Sequence, residues 1–215
     1  SADPSAPDML TIRLGSLEGL IALRHGLGHA AGCHLVDAET GEANATYARK
    51  LFPGRELVLV TLSHRQQCLL VAPGNPLGLT SLADVARAGA RFINRNRGSG
   101  TRVWIDRELA ARGVRPADLR GYEDEVTGHV EAACAVAEGR VDVAVGLRAV
   151  GTRFGLEKLP LFDEQYDLVI PRETFEAPLL ESMLKRLRSG RFWRAVGKLD
   201  GYDAGVTGRA TPLSA

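Results

Sequence analysis

Little in this 215-residue chain is present in excess. Lys and Arg number 27 against 26 Asp and Glu, and a net charge of +1 leaves no broad field to hold nucleic acid or an anionic membrane. Any anion site must therefore be a local focus of donors. Apolar runs fall short of the roughly 18 residues that cross a membrane, and no charged start followed by an apolar core resembles a signal peptide. Cysteine is scarce: Cys33, Cys68 and Cys134 lie far apart, inside apolar segments and without C-x-x-C spacing. That argues against a disulfide framework or a metal site, and for buried thiols in a reducing compartment, the cytoplasm. Aromatics make up only 6%, and 24 Gly with 10 Pro excludes collagen-like, mucin-like and wholly disordered classes. The length suits one large domain or two small lobes.

What is present is an alternation of short apolar runs with amphipathic ones, which predicts βαβ units and a largely parallel sheet. Strands are expected at residues 10–14, 29–35, 57–62, 68–72, 90–93, 141–146 and 166–170. Helices are expected at 17–25, 82–88, 101–112, 128–138, 148–154, 177–188 and 191–198, with the tail from Gly201 onward as loop. A weak internal repeat aligns Ala22-Leu-Arg-His-Gly26 with Ala135-Val-Ala-Glu-Gly139: a helix ends, Gly takes the left-handed closing position, and a small-residue strand follows. The turn-rich Val71-Ala-Pro-Gly-Asn-Pro76 and the extended Leu159 to Pro171 are expected to be two crossings between lobes. Residues 9–73 with 161–215 then form lobe 1, residues 74–160 form lobe 2, and residues 1–8 are a tag or linker.

The strongest local signal is Phe92-Ile-Asn-Arg-Asn-Arg-Gly-Ser-Gly-Thr-Arg102, a strand running through a glycine-rich turn into a helix. Ser99, Gly100 and Thr101 there offer hydroxyl and first-turn N–H donors to an oxyanion. The alternative is that Ser99 simply caps a helix. Arg95, Arg97 and Arg102 surround the turn, and a guanidinium matches oxyanion or carboxylate geometry, although at most one or two of the three should point inward. The segment lacks both the P-loop and the dinucleotide fingerprints.

Gly15-Ser16 repeats the same logic, as a plain cap or as a second set of donors. Ser63-His-Arg-Gln-Gln-Cys68 reads as a polar surface turn or as the source of a cleft cation, Arg65. His129, opening a helix after Thr127, is either a ligand donor or a surface histidine, whereas His34 reads as a satisfied core residue. Against catalysis, there is no G-x-S-x-G elbow or H-E-x-x-H motif, and Ser99 with His129 as base would need the fold to bring them together.

Several segments in order resemble the periplasmic-binding-protein-like domain found in helix-turn-helix regulators and molybdopterin-biosynthesis proteins. They are Gly15-Ser-Leu-Glu-Gly-Leu20, Cys33-His-Leu-Val-Asp37, Thr40-Gly-Glu-Ala-Asn44, Val71 to Pro76, Asn94 to Arg102, Gly121-Tyr122 with His129, and Gln165 to Pro171. The resemblance implies an α/β type II periplasmic-binding-protein-like fold, two lobes joined by two extended hinge crossings and closing on a small ligand. By analogy the ligand lies between the Ser16 and Ser99–Thr101 helix starts, with Arg65, Arg95 or Arg102, His129 and Tyr166 lining the cleft. It implies a non-catalytic cytoplasmic sensor without cofactor, whose ligand is molybdate, tungstate, sulfate, phosphate or a small carboxylate. The implied partner is a fused or separate DNA-binding or cofactor-synthesis domain. The alternatives are a periplasmic transport receptor of the same fold, or an enzyme acting on a small anion. Two departures stand out. The residues before Met9 are too few for the strand-helix unit with which such domains begin, leaving a sheet edge that a homodimer would cover. Ala43 replaces a frequent aromatic.

Overall fold

The computed structural model describes residues 9–37 and 40–214; the expected tag or linker at 1–8 lies outside them. In chain order the elements are α1 (Ser16–Arg24), β1 (Ala31–Cys33), α2 (Ala45–Leu51), β2 (Leu57–Val71), α3 (Leu82–Ala88), β3 (Phe92–Arg95), α4 (Gly100–Ala111), β4 (Glu125–Val126) and α5 (His129–Ala137). They continue as β5 (Val143–Leu147), α6 (Arg148–Arg153), β6 (Glu157–Pro171), α7 (Arg172–Phe175), α8 (Glu181–Leu187), α9 (Gly190–Val196), β7 (Tyr202–Asp203) and β8 (Ala210–Leu213).

The chain separates into two compact units, one drawn from the chain up to His64 and from Gln165 onward, the other from Arg65 to Glu164. The boundaries fall inside β2 and β6, each 15 residues long, whereas the sequence reading set lobe 2 at 74–160. The polar stretch Ser63 to Cys68 is thus no surface turn but the middle of one strand. Its side chains alternate between the faces of that strand, and Ser63, Arg65 and Gln67 are all buried.

In the first unit β1 pairs antiparallel with β6, matching Ala31 to Val169, and β8 pairs antiparallel with β2, matching Leu57 to Leu213. The tail expected as loop therefore contributes a strand, and residues 10–14, expected as one, hold no regular structure. Val58, Val60, Ile170, Leu180, Leu184 and Leu187 make the core.

In the second unit β2 pairs antiparallel with β5, β5 parallel with β3, and β3 parallel with β4. The sheet is mixed rather than largely parallel, because β2 enters against the direction of the βαβ strands. Every residue of β5 is buried, as expected when helices cover both faces. Leu69, Val71, Val143 and Val145 pack on one side with Leu82, Val85, Ile105 and Leu109 of α3 and α4. Cys68, Leu70 and Ala144 pack on the other with Ala132, Ala133, Ala135 and Val136 of α5.

The internal repeat is visible in the helix ends. After α1, Gly26 N–H donates to Leu23 O and Leu27 N–H to Ala22 O, both at 3.0 Å; after α5, Gly139 N–H donates to Val136 O and Arg140 N–H to Ala135 O, also at 3.0 Å. Gly26 and Gly139 have φ of 73° and 69°, the left-handed closure that favours glycine.

Candidate functional site

The site is assembled at the end of β3 and the start of α4. All four residues of β3 are buried, and Asn94 ties its own edge by donating from Nδ2 to Tyr122 O at 3.0 Å and accepting Arg95 N–H at 2.9 Å. The chain then turns through Gly98, with φ of 82°, into Ser99, whose Oγ accepts Arg102 N–H at 3.2 Å. Ser99 is thus the helix cap, and the first-turn amides of Gly100 and Thr101 have no intrahelical acceptor. Both residues are buried.

Arg95 is 7% exposed and donates only to neutral acceptors: Nη1 to His129 Nδ1 at 3.0 Å, Nη2 to Thr127 O at 3.0 Å and Nε to Val126 O at 3.4 Å. Burial, and next the nearby charge of Arg65, pull its guanidinium down to about 10. A buried cation without a carboxylate hydrogen-bond partner is costly, and a bound anion would offset that cost.

Arg65 and Gln67 project from the same face of β2, two residues apart. The Arg65 guanidinium pairs with the buried carboxylate of Glu164. Gln67, fully buried, donates from Nε2 to Glu164 Oε2 at 3.1 Å and to Thr101 Oγ1 at 3.0 Å. Hydrogen bonds therefore link Arg65, Glu164, Gln67 and the first turn of α4, and Arg95 lies close enough for Arg65 and Glu164 to act on its charge.

Arg102 is buried but occupied: it pairs with Glu125 at 2.6 Å and Asp106 at 2.9 Å, and its guanidinium lies 4.3 Å from the Tyr122 ring centre. No hydrogen bond joins Ser99 to His129 among the described residues. Among the same residues no group of three or more His, Cys, Asp or Glu side chains could hold a metal ion.

Ser16 and Tyr166 belong to the first unit. Ser16 is buried at the start of α1, and its Oγ accepts His34 N–H at 3.3 Å. The Tyr166 hydroxyl lies where a side chain on Gly32 would sit, 2.3 Å from an ideal Cβ, so any larger residue at 32 would have to displace the Tyr166 ring, and that ring meets His34 edge-on at 5.9 Å. Behind it, buried Asn44 accepts Leu35 N–H at 2.7 Å and donates to Asp167 Oδ2 at 2.7 Å.

Sequence reading missed Gln67 and Glu164. Gln67 had no periodic signal, because Ser63 to Gln67 is polar at every position rather than at every second one. Glu164, inside Asp163-Glu-Gln165, had none.

The PBP superfamily domain model matches residues 2–188. The chain belongs to the PBP superfamily. It is 37% identical over 195 residues to the uncharacterized protein YvgK of Bacillus subtilis (strain 168), covering 91% of this chain and 63% of that relative. The chain thus spans a little under two thirds of that relative's length. Among solved structures it is similar to a putative phosphate ABC transporter substrate-binding protein with bound phosphate from Clostridium perfringens, with a TM-score of 0.63 and 13% identity over 88% of this chain and 84% of that one. It is also similar to the tungstate ABC transporter from Geobacter sulfurreducens, with a TM-score of 0.62 and 16% identity over 86% and 82%. The superfamily chain has the type II periplasmic-binding-protein-like fold that its sequence resembles. None of its described helices is long and apolar enough to cross a membrane.

Proposed function

We propose that this chain is a non-catalytic receptor domain for a small oxyanion, acting in the cytoplasm as a sensor. The observation that carries the reading is Arg95, a buried guanidinium whose hydrogen bonds all go to neutral groups. Beside it, helix-start amides and the Thr101 hydroxyl supply further donors. Arg65, Arg95, Gly100, Thr101 and His129 form the anion-binding group, with Ser99 holding the helix start in place. Closure by hinge motion would use β2 and β6, the two strands that run from one unit into the other, and pass ligand occupancy to a partner domain. The phosphate and tungstate proteins of the same fold support an oxyanion as the ligand class.

Calorimetry tests this with molybdate, tungstate, sulfate, phosphate and small carboxylates. At least one oxyanion should bind, and Arg95→Ala should weaken it by about tenfold or more. A chain that gives no heat with any of them is not an anion receptor.

The same two transporter proteins favour a second reading, a periplasmic transport receptor of this fold. A secretory leader encoded ahead of the chain would select it, and a regulatory or cofactor-synthesis domain there would select the sensor. An enzyme using Ser99 is less well supported, because its Oγ is engaged by Arg102 N–H and His129 Nδ1 by Arg95.

A further inference from the structure

Among the donors of the site lies one acceptor with nothing to accept. Gln67 is fully buried, and its Oε1 has no hydrogen-bond partner, while its Nε2 serves Thr101 Oγ1 at 3.0 Å and Glu164 Oε2 at 3.1 Å. The orientation of this amide is dictated by Glu164. A carboxylate ion-paired to Arg65 can only accept, so the amide nitrogen must face it and the carbonyl oxygen is left over. Turning the amide over would set two acceptors against each other. A buried carbonyl without a donor destabilises a fold, and native interiors seldom keep one without a use.

Resting on the oxyanion reading of this same site, we infer that this cluster of side chains selects an anion carrying a hydroxyl proton, hydrogen phosphate or the chemically equivalent hydrogen arsenate, over anions that carry none, such as sulfate and tungstate. The donors serve the unprotonated oxygens: the guanidinium of Arg95, the hydroxyl of Thr101 and the amides at the start of α4. The Gln67 carbonyl, with the negative charge of Glu164 beside it, receives the O–H. A fully deprotonated oxygen in that position would place lone pair against lone pair, and its charge against that of Glu164. Phosphate and sulfate are close in size and shape, so a cavity alone discriminates poorly between them. A single acceptor discriminates by chemistry, because the wrong ligand leaves a buried polar group unpaired.

The test is calorimetry of the full chain near neutral pH with inorganic phosphate, arsenate, sulfate and tungstate. Phosphate and arsenate are expected to bind about 10- to 100-fold more tightly than sulfate and tungstate, the range that one mispaired buried acceptor produces. Gln67→Met, checked for folding by circular dichroism, should shrink that ratio. Sulfate or tungstate binding as tightly as phosphate to the unaltered chain would overturn the inference and leave the oxyanion reading standing. An unchanged ratio in folded Gln67→Met would overturn it too. Absence of heat with all four anions overturns the inference, and absence of heat with molybdate and small carboxylates as well overturns the oxyanion reading too.

Discussion

Arg95 donates from Nη1 to Nδ1 of His129 at 3.0 Å. A guanidinium has no acceptor, so Nδ1 must be the accepting nitrogen and the ring proton sits on Nε2. Nitrogen-15 correlation spectra should show a pyridine-like Nδ1 and a protonated Nε2 for His129 at neutral pH. Arg95→Ala should release the ring to a mixture of tautomers. A doubly protonated His129 in the unaltered protein would contradict the hydrogen bond as described.

The ion pair of Arg65 with Glu164 has side chains 9% and 1% exposed. A pair this buried is costly to break from one side, because the remaining charge stays out of water and loses the opposite charge that compensated it. Glu164→Ala leaves the Arg65 guanidinium facing the like charge of Arg95 and should destabilise by about 3–5 kcal/mol in urea unfolding. The double replacement Arg65→Met with Glu164→Leu should recover most of that loss, although it should abolish anion binding. A single replacement costing under about 1 kcal/mol would mean that the pair is solvated, as surface pairs are.

Burial pushes the Cys33 thiol up to about 12 from an ordinary value near 9, with a smaller contribution in the same direction from the charge of Asp167. The thiolate is the reactive form, so Cys33 in the folded chain should resist alkylation at pH 8 and react only after unfolding, as read by mass spectrometry. The raised value also sets a pH dependence. Above about 9 the unfolded chain releases this proton while the folded chain keeps it until about 12, so folding stability should decline as pH climbs through that window. Cys33→Ala should flatten that slope.

Some of this was legible before any coordinates. Helix α3 falls at residues 82–88, as its pattern predicts, and Ser81 caps it by accepting Asp84 N–H at 3.2 Å. Ser99 caps α4 on the same principle, and Gly26 and Gly139 close their helices with the same pair of hydrogen bonds. Such signals are readable because cap and closing residues act within about one helical turn of where they stand. The strand expected at residues 10–14 and the loop expected after Gly201 went the other way. A short apolar run becomes a strand only if a partner edge is within reach, and Ala210–Leu213 found one on β2.

The residues alone determined the α/β class, the starts of α1, α3, α4, α5, α6 and α9 to within one residue and the Ser99 cap, since each depends on neighbours in the chain, whereas α2 and α7 were not foreseen. Tertiary structure decided which charges meet near that cap. Arg65 reaches Glu164 across 99 positions and Gln67 reaches Thr101 across 34. Those meetings follow from strand register, where a shift of one residue would turn Arg65 and Gln67 to the opposite face.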